Sequence, residues 1–207
     1  MSADCCQHDH DPNNGKSHQG GYRKVLWIAL VVNFTMFIVE IASGVKANSV
    51  SLFADSLDFL GDSANYGISL WVLGMSVAVR AKASLFKALT MGAFGLWVVG
   101  NAIWNATTGV LPSAETMGIV GVLAFVANLS IAGLLYTYRE GDSNMRSVWL
   151  CTRNDALGNL AVILAAVGVF GTGKSWPDLI VASIMASLAL HAAWEVIKHA
   201  RTELTNE

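Results

Sequence analysis

Asp58 and Asp62 stand four residues apart in an otherwise apolar stretch, and Cys151 and Asp155 repeat that spacing later in the chain. Four residues is about one helical turn, so each pair would put two metal-ligating side chains on one face of a helix. Three carboxylates and one thiolate form a four-ligand set of the kind that holds zinc tetrahedrally. The thiolate draws preference toward borderline or soft ions. Fully deprotonated, such a set carries a charge of about −4, which hydrocarbon does not sustain without a cation or protons. Metal binding must then compete with protonation, the chemical root of metal/proton exchange.

The first pair belongs to a longer pattern. Ser51, Asp55, Asp58, Asp62, Asn65 and Ser69 follow one another in steps of four and three, a polar stripe on a helix otherwise covered by Leu52, Phe53, Leu57, Phe59 and Leu60. Asn159 extends the second pair on nearly the same face. Each acid in the middle of a membrane helix costs about 3 kcal/mol on insertion scales, and such acids usually mark a function. Asp55, Glu40 and Asn33 are secondary candidates for proton handling, ligand orientation or helix packing. The competing structural reading pairs a lone acid with Arg153 or Asn128.

The elements that must carry these residues follow from composition. Of 207 residues 54% are hydrophobic and only 14% charged, against about 25% charged in soluble domains. The chain reads as an all-α, polytopic membrane protein. A net charge of −2 leaves no basic footprint for nucleic acid. Six apolar segments, near Val25–Gly44, Ser49–Met75, Leu85–Thr107, Met117–Tyr138, Ser147–Phe170 and Pro177–Ile197, are each long enough to cross a hydrocarbon core as a transmembrane helix. Eleven of the 13 Lys and Arg residues fall on the side of the two termini, leaving Lys46 and Lys174 on the other. That bias predicts cytoplasmic N and C termini in the cell membrane. The expected organisation is a polar tail over 1–24, a transport domain over 25–197 and a short tail over 198–207. No signal peptide and no disulfide framework are expected.

The combination resembles the cation diffusion facilitators, a family of divalent-metal/proton antiporters. Asn33 through Glu40 to Gly44 resembles the family's first span, and Ser49 through Asp55 to Asp58-Phe59-Leu60-Gly61-Asp62 resembles its second. Asn128-Leu129 resembles a feature of the fourth span, Cys151-Thr152-Arg153-Asn154-Asp155-Ala156-Leu157-Gly158 the fifth, and Trp176-Pro177-Asp178 the opening of the sixth. The resemblance implies Asp58, Asp62, Cys151 and Asp155 as transport-site ligands, zinc as substrate, and protons as the exchanged ion. Cys151 stands where the family has histidine, which brings in cadmium or cobalt. The family usually continues into a cytoplasmic metal-binding domain beyond the position of Glu207, so a homodimer, where one forms, is expected to use membrane helices. No prosthetic group and no enzymatic activity are expected.

Other features carry less. Cys5, Cys6, His8 and His10 could collect soft metal near the pore, or belong to a solvated tail with incidental ligands. His191 and His199 read as interfacial. Gly168 to Ser175 satisfies a phosphate-loop pattern, but it lacks the strand that must precede one, so nucleotide is not an expected partner. Two other readings of the acids are an intramembrane aspartyl hydrolase using Asp58 or Asp62 with Asp155, and a membrane metal sensor that does not transport.

Overall fold

Six α-helices follow one another: α1 (Pro12–Ala47), α2 (Val50–Trp71), α3 (Val77–Thr108), α4 (Ala114–Leu135), α5 (Ser143–Thr172) and α6 (Trp176–Thr205), with a 3-10 turn at Tyr136–Tyr138. This computed structural model describes residues 12–71, 77–138 and 143–205. Side chains are described from residue 21 onward except at 69, 77–81, 83, 84, 87, 143–148, 150, 151, 195 and 199–205. The all-α reading holds, one helix to each apolar segment. The helices run furthest beyond the apolar stretches in α1, which begins at Pro12, α3, which begins at Val77, and α6, which continues to Thr205. Once an apolar helix is nucleated, adding polar residues to its end is inexpensive.

Among the described residues, four helices contain apolar stretches of membrane-crossing length: Gly21–Ala47, Ala114–Tyr138, Thr152–Thr172 and Trp176–Lys198. The 22 residues of α2 are also long enough, but Asp55, Asp58 and Asp62 make it too polar to face lipid. The packing resolves this. Helix α2 touches α1, α3, α5 and α6, and its side chains from Val50 to Leu57 are all buried. Leu52, Phe53 and Leu57 join Val98 of α3, Met117 of α4 and Val162 of α5 in the main core. The outer helices turn Trp27, Val31, Ile119, Leu164 and Phe170 outward, as a lipid-facing surface would. The chain is a multi-pass membrane protein.

The helix turns at one end are tied together. Asn48 takes the left-handed conformation (φ 52°), and Ser49 N–H closes the end of α1 onto the Gly44 carbonyl at 3.1 Å. A side chain at Gly44 would meet the Phe53 ring at 2.9 Å, so glycine lets α2 lie against α1. Ser113 N–H, in the α3–α4 connection, donates to the Ala47 carbonyl at 2.9 Å. From the first turn of α6, buried Asp178 reaches the start of α2. It accepts from Val50 N–H (2.8 Å), Ser51 N–H (3.0 Å), Ser49 Oγ (2.7 Å) and Ser51 Oγ (2.6 Å). One carboxylate thus satisfies two of the orphan amides of α2, with Ser49 Oγ meeting that of Leu52, and sits favourably in the dipole of α6.

Losing that cap would strand buried donors, so Asp178→Ala should cost about 2–4 kcal/mol of stability. A thermal melt of detergent-solubilised protein followed by size exclusion would show an earlier transition for the variant. An unchanged melt would mean that the cap does not hold the two helices.

Candidate metal-transport site

Asp58 and Asp62, one turn apart on α2, and Asp155 on α5 line a single cavity of about 740 Å³, together with Asn65, Asn154 and Met185. Its walls come from α2, α3, α5 and α6. From Asp58 and Gly158 it extends toward Asn65, Asn154 and Val196, the end of the bundle where α1 begins and α6 ends. Asp62 is 5% exposed, and Asp58 and Asp155 are half-buried. Cys151 lies on α5 one turn before Asp155, but its side chain is outside the described set. Among the described residues no three His, Cys, Asp or Glu side chains are close enough to hold one ion. The acids therefore share a cavity without forming a closed cage.

Gly158 of α5 lies directly beside these carboxylates. A Cβ there would lie 3.7 Å from Asp58 Oδ2, 3.9 Å from Asp55 Oδ1 and 3.5 Å from Met185 Cε. A methyl group fits at ordinary contact distance, whereas a longer side chain would enter the carboxylates' space.

Asp55 does not line the cavity. It is fully buried, and both of its oxygens accept from Asn159 Nδ2, at 2.9 and 2.8 Å. Asn159 Oδ1 in turn accepts from Asn128 Nδ2 at 2.9 Å. This relay joins α4, α5 and α2, so the helix-bridging role considered for Asn128 is real but indirect. Arg153 is no partner of Asp55: it is exposed, stacks over Trp149 at 5.2 Å and donates to Asn154. A cationic head group reaches toward the interface rather than into an apolar core. Glu40 is fully buried beside the carboxyls of Asp55 and Asp58, and no N–H or hydroxyl donor among the described residues reaches its oxygens. Asn33 is buried higher on the same helix and donates to its own Ala29 carbonyl at 2.9 Å.

Carboxyl groups gathered in a dry bundle require positive charge, whether metal or protons. The remaining candidates lie elsewhere. Cys5, Cys6, His8 and His10 are outside the described residues, as is the His199 side chain, and His191 is exposed. The phosphate-loop pattern falls at the end of α5 and the turn into α6, with Gly173 at φ 62°. It follows a helix, not a strand, so it cannot form a phosphate cradle.

Two site residues escaped the sequence reading. Tyr66, one turn beyond Asp62, donates its hydroxyl to Asp62 Oδ2 at 2.7 Å, and Thr152 Oγ1 lies 2.6 Å from the same hydroxyl. The i, i+4 step from Asp62 was visible for Tyr66, but an aromatic residue at helical spacing reads first as core. The glycine contact leads to a graded expectation. Gly158→Ala should retain most metal flux in reconstituted vesicles, and Gly158→Leu should lose at least about tenfold by displacing Asp58. Equal flux in the two variants would remove Gly158 from the site.

The comparisons with known proteins agree with this architecture. Residues 26–205 match the family model described as the cation efflux transmembrane domain. The metal cation efflux system protein CzcD of Cupriavidus metallidurans is 25% identical over 203 residues, covering 92% of this chain and 62% of that protein. A cadmium, cobalt and zinc/H(+)-K(+) antiporter of Bacillus subtilis is 29% identical over 206 residues, with 89% and 64% covered. The zinc transporter ZitB of Escherichia coli is 24% identical over 210 residues, with 95% and 67% covered. This chain thus spans about two thirds or slightly less of the length of those relatives. By the match to its helical domain, the chain belongs to the cation efflux family, a family of transporters rather than enzymes.

Proposed function

We propose that this protein exports a divalent metal ion from the cytoplasm in exchange for protons, with Asp58, Asp62, Cys151 and Asp155 as the ligands that replace the ion's water. The observation that carries this reading is the shared cavity: three acids from two helices face one space inside a bundle whose outer surface is apolar. Zinc is the expected substrate, supported by relatives named for zinc. Cadmium and cobalt are the alternatives that a thiolate at position 151 favours.

The orientation rests on the charge bias, which assigns both termini to the cytoplasm. The cavity then opens inward, and the turns tied by Asp178 and Ser113 close the outer end. An ion enters from the cytoplasm and exchanges water for carboxylate oxygens and the thiolate. Rearrangement of the helices around this fixed site opens it outward. Protons then neutralise the carboxylates, release the ion and return inward. Asp55 has a different part: its oxygens are occupied by Asn159, so it holds α2 against α5 rather than meeting the ion. Glu40 and Asn33 remain candidates for proton handling and packing on α1.

Two expectations follow. In proteoliposomes with an entrapped pH dye, zinc flux should be accompanied by opposite proton flux. Asp58→Asn and Asp155→Asn should each lower both by at least about tenfold, because each removes a charge that compensates the metal. Zinc flux unaffected by either change would exclude this site, and binding without flux would favour a sensor. Cys151→His should raise the zinc-to-cadmium flux ratio, since imidazole is a harder donor than thiolate. An unaltered ratio would remove Cys151 from the ligand set.

A further inference from the structure

Tyr66 is 1% exposed and does not line the cavity, yet its hydroxyl lies between two helices that do. It donates to Asp62 Oδ2 at 2.7 Å and sits 2.6 Å from Thr152 Oγ1, which is itself 3.4 Å from the same carboxylate oxygen. Asp62 thus meets the cavity on one side and a pair of buried hydroxyls on the other. Thr152 directly follows Cys151 and precedes Asp155 by three residues, so the hydroxyl pair ties the α2 ligands to the α5 ligands at one point.

We infer that Tyr66, with Thr152, is a positioning and specificity-determining residue for the transported ion, acting through Asp62. The inference rests on the proposed role of Asp62 as a ligand. A carboxylate oxygen engaged by a short phenol bond is a poorer metal donor, and the bond also fixes the rotation of the carboxylate plane. Asp62 is thereby held to ligation through one oxygen, the mode that suits a small tetrahedral ion. A carboxylate that can offer both oxygens suits larger ions with higher coordination numbers. Hydrogen bonds to a ligand from outside the site commonly change metal affinity by about 10–100-fold. Tyr66 therefore biases the site toward zinc and against the larger cadmium ion.

The test is flux of zinc and of cadmium by the full chain in proteoliposomes, comparing wild type, Tyr66→Phe, Thr152→Val and Asp62→Asn. Phenylalanine keeps the ring in the core, and the ratio between two ions is independent of how much protein folds. Tyr66→Phe should raise the half-saturating zinc concentration roughly tenfold with little change in maximal rate, and should raise the cadmium-to-zinc preference several-fold. Thr152→Val should move both in the same direction by less, because the phenol still reaches Asp62. An inactive Asp62→Asn beside a Tyr66→Phe variant with wild-type half-saturation and ion ratio would overturn this inference alone. So would a Tyr66→Phe variant that lowers maximal rate equally for both ions with no change in half-saturation, the sign of a structural role only. Wild-type transport by Asp62→Asn would overturn the ligand assignment and this inference with it.

Discussion

Carboxylates cannot face hydrocarbon, and that constraint organises the bundle. Three acids within one helix make α2 unfit for contact with lipid, so α2 is wrapped by α1, α3, α5 and α6 while those helices present apolar side chains outward. The same acids that force α2 inward create the polar cavity once it is there. Architecture and chemistry thus have one origin: the polar stripe on the central helix.

The acids of α2 meet three different fates. Asp55 is tied up in the relay through Asn159 and Asn128, which locks α2, α5 and α4 together. Asp58 faces the cavity beside Gly158 of α5, where a methyl group would fit but a longer side chain would enter the carboxylate's space. Asp62 belongs both to the cavity and to the Tyr66–Thr152 pair. One stripe thereby supplies a fastening, a carboxylate open to the cavity and a braced carboxylate. At the other end of the helix, Asp178 holds the start of α2 to α6. Helix α2 is fixed at its head by α6 and along its length by α5, so its acids stand at a defined depth between the two.

Much of this was legible in the sequence because it is periodic. Helix count, the stripe from Ser51 to Ser69 and the paired spacing of Asp58/Asp62 and Cys151/Asp155 depend on residues only a few positions apart. The missing parts join residues far apart in the chain. Asp178 reaches Ser49, Val50 and Ser51, Asn159 reaches Asp55, and Tyr66 reaches Thr152, at separations of 86 residues or more. No local pattern chooses among the polar residues that such contacts could use. Arg153 illustrates the difficulty: opposite charge made it a natural partner for a buried acid, but its solvation and its stacking on Trp149 keep it outside.

The central claim is that one transported ion is held jointly by carboxylates of α2 and α5 and the thiolate of Cys151. X-ray absorption spectroscopy at the zinc edge, on zinc-loaded protein carrying Cys5→Ser and Cys6→Ser, tests it most directly. The account predicts one ion with a mainly oxygen shell and a single sulfur at about 2.3 Å, the sulfur being lost when Cys151→Ser is added and the ion when Asp58→Asn and Asp155→Asn are combined. A shell without sulfur, or bound zinc that survives loss of both acids, would contradict it.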